Sequence, residues 1–147
     1  MKNIQSKIAS QNWESITESM HENGFAIIPN ILNNEQCEDL KFNYDNPALY
    51  RKTVIMERYR FGLGEYKYFD YPLPDLVQNI RNSIYLKLAP IANSWMKALN
   101  ISTIFPQKHE ELLQQCHDNN QLKATVLILK YGTGGFNTLH QDLYGDV

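Results

Sequence analysis

The last part of the chain contains the pattern that most restricts its fold. Residues 124–130 (ATVLILK) are a near-continuous apolar run of strand length, which predicts a strand in the centre of a sheet. The glycine-rich segment 131–135 (YGTGG) predicts a tight loop, and residues 138–144 predict a second strand. A sheet therefore begins near the end of this sequence.

The residues before this region predict mainly helices. Apolar residues at helical spacing from Trp13 onwards predict a helix that ends at Gly24 in a left-handed cap. The apolar segment 25–28 predicts a short buried strand, which the following proline stops. Asn33 and Gln36 have the spacing of a capping box, which predicts the start of another helix.

The middle of the chain predicts a hairpin followed by two helices. Residues 53–70 are rich in aromatic and β-branched side chains and predict two strands joined around residues 62–64. An apolar stripe of helical period over residues 80–99 predicts a long helix, which Pro90 should kink or divide. A further helix is predicted from Pro106 to about residue 119.

Length and composition favour one soluble globular domain over residues 1–147. An apolar content of 43% and a charged content of 20% are ordinary for a folded protein. No segment has the length of a membrane span, and the N-terminus lacks an apolar signal segment, so a cytoplasmic location is expected. Cys37 and Cys116 match no metal-binding spacing and are predicted to be free thiols.

Charge and aromatic content bear on the kind of partner. The net charge of −2 argues against binding to a nucleic-acid duplex. A small molecule, a peptide and a nucleic-acid base all stay open as the substrate, and the first two are favoured. Residues 51–71 nevertheless interleave basic and aromatic side chains, as surfaces for single-stranded nucleic acid do. We favour an amphipathic hairpin with its aromatic side chains packed inward. His21, His109 and His117 are predicted to lie on exposed helix surfaces.

One residue pair indicates metal chemistry. His140 and Asp142 are separated by one residue, and alternate residues of a strand point to the same face. An imidazole and a carboxylate placed in this way supply two members of the 2-His-1-carboxylate triad of non-haem iron(II) oxygenases. The triplet alone is weak, because a histidine and an aspartate at the exposed end of a strand would give the same pattern.

Several motifs, taken in order, resemble a known enzyme family. The segment 130–142 (KYGTGGFNTLHQD) resembles the strand–loop–strand that opens the iron site of prolyl-4-hydroxylase-like 2-oxoglutarate oxygenases. Three further motifs resemble a bacterial, uncharacterised branch of these iron(II) enzymes. They are residues 56–74 (MERYRFGLGEYKYFDYPLP), 89–95 (APIANSW) and 140–145 (HQDLYG).

The resemblance implies a fold and a set of site residues. The fold is α+β, with N-terminal helices packed on the opening strands of a double-stranded β-helix, or jelly roll. His140 and Asp142 are then iron ligands, and Tyr131 is the tyrosine that donates a hydrogen bond to the carboxylate of 2-oxoglutarate. The implied cofactors are Fe(II) and 2-oxoglutarate, and the implied reaction is hydroxylation of an unidentified substrate.

The resemblance also implies that a part of the family's domain is missing from this sequence. Members of the family continue into further strands, which carry a distal iron-binding histidine and a basic residue that pairs with 2-oxoglutarate. We therefore expect residues 1–147 to be an N-terminal fragment that lacks the C-terminal strands, and its own activity is in question. The alternatives are a non-catalytic remnant or binding module of this fold, and a cupin-like protein with a structural metal. The oligomeric state and the substrate-binding residues are not predicted.

Overall fold

The computed structural model describes residues 3–140 as a mixture of helices and short antiparallel strands. Three short 3₁₀ helices, at Asn43–Asp45, Pro47–Leu49 and Met56–Tyr59, connect the regular elements. The helices and strands are, in chain order, α1 (Ile4–Ala9), α2 (Trp13–Asn23), α3 (Asn34–Phe42), β1 (Tyr50–Ile55), β2 (Gly62–Leu63), β3 (Glu65–Phe69), α4 (Asp75–Ala98), α5 (His109–Asp118), β4 (Leu127–Lys130) and β5 (Phe136–Asn137).

The helix ends agree with the predictions made from their capping residues. Gly24 ends α2 with a left-handed φ of 77°, and its N–H donates to the Met20 carbonyl. Asn33 and Gln36 form the predicted capping box at the start of α3, where each side chain accepts a hydrogen bond from the backbone N–H of the other. These contacts span only three or four residues, so the local sequence is sufficient to specify them.

The prediction of a strand at residues 25–28 is wrong. This segment is extended without strand pairing, and the side chains of Phe25 and Ile27 are 60% and 80% exposed. The Phe25 carbonyl accepts a hydrogen bond from the Ser19 hydroxyl instead of from a neighbouring strand. An apolar run of four residues becomes a strand only where a partner strand is available, and a local sequence does not reveal that partner.

The strands form two antiparallel sheets within the described residues. The larger sheet has the order β1-β3-β4, and the smaller one pairs β2 with β5. The predicted pairing within residues 53–70 is confirmed as β1 with β3, and their connection contributes β2 to the second sheet. The strand predicted at residues 124–130 is confirmed at Leu127–Lys130, but its predicted central position is not observed. Within residues 3–140, β4 pairs only with β3 and forms the edge of the sheet.

The two faces of the larger sheet have different surroundings. Phe69 and Ile128 lie on the face that packs on buried Leu73 and Ala124, together with Val77 of α4. This apolar cluster is the part of the core that joins the sheet to the helices. The other face, which carries the alternate residues of β3 and β4, lines an open cavity.

The N-terminal helix packs along the long helix α4. Ile4 and Ile8 of α1 are buried, as are Ala89 and Ile91 of α4. Of the two predicted effects of Pro90, a kink or a division, the division does not occur, because α4 runs through Pro90 as one helix. Pro90 lies on the exposed side, where water can hydrate the carbonyl that loses its usual N–H partner, and the buried residues on both sides of it keep the helix packed.

The second strand predicted at the end of the chain, over residues 138–144, is not formed in its described part. Residues 138–140 have no strand structure, and the strand that the structure does contain, β5, lies before them and ends at Asn137. The rest of the predicted strand lies outside the described residues. The double-stranded β-helix stays a prediction, since the described strands form two small sheets and no closed barrel.

Among the helices of residues 3–140, none combines the length and apolar character needed to cross a lipid bilayer.

His109 is buried, and the prediction that it is solvated is wrong. Its side chain is 5% exposed, and its Nδ1 lies 2.7 Å from Oδ1 of Asn82 on α4. That amide oxygen can only accept a hydrogen bond, so Nδ1 carries the proton. Burial lowers the pKa of His109, the nearby positive charge of Arg81 lowers it further, and Glu110 acts in the opposite direction.

The buried histidine should make the folded protein sensitive to mild acid. Because the pKa of His109 is lower in the folded than in the unfolded chain, the unfolded state binds more protons, and stability falls as pH drops below about 6.5. The maximum slope for one group is about 1.4 kcal/mol per pH unit. Urea denaturation between pH 7.5 and pH 5 should show a smaller loss of unfolding free energy for His109→Gln. An equal loss for the variant would contradict this role, and exposed His117→Gln is the matched control.

Candidate active site

A cavity of about 590 Å³ opens over one face of the larger sheet. Its floor consists of Tyr66 and Tyr68 of β3 beside Leu127 and Leu129 of β4, which are paired across the two strands. The two tyrosine rings lie edge to face with their centroids 5.5 Å apart. Because alternate side chains of a strand point to the same face, these residues of β3 and β4 together form an apolar and aromatic surface that can accept a flat organic group.

Arg51 brings a positive charge to the wall of this cavity. Its Nε and Nη2 donate hydrogen bonds of 2.9 and 2.7 Å to the carbonyl oxygen of buried Ala124. Its Cζ lies 4.5 Å from the centre of the Tyr68 ring, in a cation–π contact. The guanidinium is thus fixed in position, so it is suited to orient an anionic or polar group in the cavity.

His140 lies at the rim of the same cavity. The side chains of Asn137 and Thr138 also line it, so the segment after β5 forms one wall. The Nδ1 of His140 is 2.7 Å from the Thr138 carbonyl oxygen. Because a carbonyl can only accept, Nδ1 carries the proton, and Nε2 holds the lone pair of the neutral ring. This is the tautomer that a metal-binding histidine uses when its other nitrogen is anchored to a backbone carbonyl.

Two hydrogen bonds hold residues 138–140, here called the histidine segment, against the turn that precedes β2. The backbone N–H and the hydroxyl of Thr138 both donate to the Phe61 carbonyl, at 2.8 and 3.0 Å. Gly62 then pairs with Asn137 in the smaller sheet. The position of His140 therefore depends on residues that are about eighty positions earlier in the chain.

Two other residues, Asp142 and Tyr131, were predicted to belong to the site. Asp142 lies outside the described residues, so its predicted approach to His140 stays a prediction. Tyr131 is 44% exposed, and its ring packs against Gly64, where an added Cβ would be 2.9 Å from Cδ1 of the tyrosine. Tyr131 is not part of the cavity wall described above. Within residues 3–140, no cluster of three or more histidine, cysteine or acidic side chains forms a metal site.

The aromatic residues of segment 51–71 are packed inward only in part, since Phe69 is buried in the core but several others are not. Tyr59, Phe61 and Tyr71 are 56%, 42% and 39% exposed, and Tyr66 and Tyr68 line the cavity. The side chains of these five residues face the cavity or the solvent. Sequence reasoning did not assign Arg51, Tyr66 and Tyr68 to a site, and their position in a basic and aromatic segment was the signal available.

Comparisons with known proteins define the class of this chain. A family described as an oxygenase "catalysing oxidative methylation of damaged DNA" matches residues 64–147, which is more than half of the chain. The chain therefore belongs to this oxygenase family. The match covers β3, the cavity floor and the histidine segment.

Two curated relatives extend the similarity towards the N-terminus. Both are uncharacterized proteins of Mycobacterium tuberculosis, one from strain CDC 1551 / Oshkosh and one from strain ATCC 25618 / H37Rv. Each is 39% identical over 135 residues, which are 92% of this chain and 53% of the relative. The chain thus spans about half the length of these relatives. No solved structure matches it.

Proposed function

We propose that this oxygenase depends on iron(II) and 2-oxoglutarate, with His140 and Asp142 as two of the iron ligands. The observation that carries the proposal is the hydrogen bond from Nδ1 of His140 to the Thr138 carbonyl, which anchors the ring beside the cavity in the way that metal-binding histidines are anchored. A neutral imidazole and a carboxylate are a donor set that suits iron(II). The prolyl-hydroxylase-like character and the double-stranded β-helix belong to the same proposal.

The residues of the chain would divide the work between metal and substrate. Bound iron(II) supplies the oxidising chemistry, in which O₂ places one oxygen atom in a substrate C–H bond and the other in succinate formed from 2-oxoglutarate with loss of CO₂. The Thr138 carbonyl holds the His140 ring in one tautomer and one orientation. Tyr131 is proposed to donate its hydroxyl to a 2-oxoglutarate carboxylate. The apolar floor of the cavity limits the access of water.

For the substrate, we propose a base in damaged nucleic acid. The family description names damaged DNA, and a cavity floored by two tyrosines suits a flat heterocycle. A net charge of −2 disfavours broad contact with a duplex, but a single base turned out of its strand needs only local contacts. For this reason we favour a modified base over a small molecule or a peptide as the substrate.

An anaerobic titration with iron(II) and 2-oxoglutarate tests the proposed function. We expect a visible charge-transfer absorption that needs both additions. No such band at millimolar iron(II) and 2-oxoglutarate would overturn the proposal for this chain and favour a non-catalytic binding module. Zinc retained through dialysis against a chelator, without the band, would favour a structural metal site instead.

A further inference from the structure

Two aromatic rings form an exposed stack beside the cavity. The rings of Tyr59 and Phe61 have centroids 5.5 Å apart and an interplanar angle of 21°. Their side chains are 56% and 42% exposed, and Phe61 also lines the cavity. A parallel pair of exposed rings offers an apolar face of the size and shape of a nucleobase, and this face leads to the cavity rim.

The charge around this stack is opposite to that of the whole chain. Residues 51–61 contain four basic side chains and one acidic side chain, whereas the chain has a net charge of −2. Arg58 and Arg60 flank Tyr59, and both are exposed. The carboxylate of Glu57 accepts a hydrogen bond from the Gly64 N–H at 3.3 Å, so its charge is partly turned to the backbone. Residues 58–61, here called the aromatic turn, therefore favour an anionic partner with flat groups.

The aromatic turn is joined directly to the segment that carries His140. The Phe61 carbonyl accepts two hydrogen bonds from Thr138, and the Thr138 carbonyl accepts one from His140. The backbone of Arg60 has a left-handed φ of 60°, which gives the turn its shape and places its carbonyl 3.4 Å from the Thr138 hydroxyl. A partner seated on the turn thus lies next to the cavity wall.

We propose that the aromatic turn is a contact surface for single-stranded nucleic acid. One base stacks on Tyr59 and Phe61, while Arg58 and Arg60 contact the neighbouring phosphates, so that an adjacent base reaches the cavity. The inference rests on the proposed function, because the aromatic turn would hold the strand whose base enters the cavity. The combination of stacked rings and arginines fits alternating bases and phosphates better than it fits a peptide.

Binding to a fluorescein-labelled 12-nucleotide single-stranded DNA tests this inference without iron. Fluorescence anisotropy is measured in EDTA with the full chain. Tyr59→Leu and Phe61→Leu, which keep apolar bulk but remove the flat rings, should each weaken binding by about 5- to 150-fold. Arg58→Gln with Arg60→Asn should reduce the slope of log K against log salt by about 1.4. Asparagine is chosen because it tolerates the left-handed conformation of Arg60.

Matched surface variants separate a specific surface from a general effect. Phe42→Leu replaces an aromatic residue that is 86% exposed on α3, and Lys97→Gln removes an exposed charge at the end of α4. Both should bind within about twofold of the unchanged protein, and circular dichroism should show that all variants are folded. Affinities for the aromatic-turn variants within twofold of these controls would overturn the inference.

Three further outcomes also decide between these possibilities. No oligonucleotide binding by a chain that gives the iron and 2-oxoglutarate band would overturn the nucleic-acid surface and leave the dependence on iron(II) and 2-oxoglutarate standing. Displacement of the oligonucleotide by an equal concentration of an acidic peptide of equal charge would also overturn it, because charge alone would then explain binding. If the oligonucleotide binds in a way that depends on the two rings, but the chain gives no absorption band with iron(II) and 2-oxoglutarate, the nucleic-acid surface is supported. The proposed dependence on iron(II) and 2-oxoglutarate then fails.

Discussion

Replacing His140 with alanine is expected to abolish the absorption band that iron(II) and 2-oxoglutarate produce together. In the proposed site this ring is an iron ligand, and its hydrogen bond to the Thr138 carbonyl holds it beside the cavity. Loss of an outer hydrogen-bonding partner already costs about 10- to 100-fold in metal affinity, so loss of the ligand itself should cost more than about 100-fold. Anaerobic absorption titration with iron(II) at saturating 2-oxoglutarate measures this change.

Stability distinguishes the loss of a ligand from a loss of structure. His140 is exposed, so His140→Ala should change the free energy of unfolding by less than about 0.5 kcal/mol. Exposed His117 on α5 provides the control, and His117→Ala should keep the full absorption band. Asp142→Asn should behave like His140→Ala if the carboxylate is the second ligand. A full band in His140→Ala would remove this histidine from the metal site.

Replacing Gly62 with alanine is expected to destabilise the protein more than any other single methyl addition at the glycines of residues 3–140. Gly62 has a φ of 138°, which side-chain-bearing residues rarely adopt. An added Cβ would also collide with the carbonyl oxygen of Phe136 and lie 2.9 Å from the Cα of Asn137. Either the backbone of β2 or that of β5 must move, so we expect a loss of about 2–4 kcal/mol.

The same substitution should weaken iron binding, because β5 leads directly to the histidine segment. Urea denaturation followed by tryptophan fluorescence gives the loss of stability, and the iron titration gives the effect on the site. Gly134→Ala is the matched control, since Gly134 has a φ of 78° and nothing within 4 Å of an added Cβ. That variant should lose only about 1–2 kcal/mol, the cost of the left-handed backbone alone. Equal losses for both variants would show that the contact with Phe136 does not matter.

The predictions that the sequence supported best concern neighbours along the chain. The caps at Gly24 and Asn33 are correct because a cap involves backbone groups within one helical turn. The pairing of β1 with β3 is also correct, since a short connection brings consecutive strands together. The motifs around His140 indicated an oxygenase, and the family match supports that coarser conclusion.

The failed predictions concern burial and partners that are distant in sequence. Residues 124–130 read as a central strand, but burial in a sheet depends on which strands lie on both sides. His109 read as exposed, yet Asn82 of α4 supplies the hydrogen bond that permits its burial. Tyr59 and Phe61 read as inward-facing, but the bend that precedes Gly62 leaves their rings stacked and exposed.

The amino-acid sequence by itself determined the caps at Gly24 and Asn33 and the pairing of β1 with β3, because each depends on residue types at short spacing. Its resemblance to a known family indicated the oxygenase class. Only the tertiary structure decided that Tyr66, Tyr68 and Arg51 share a cavity with His140, and that Thr138 binds the Phe61 carbonyl. These contacts join strands that are some seventy residues apart, and they arise from pairing and burial. No local spacing encodes such pairing, since a strand's neighbours are selected by the free energy of the whole packed sheet.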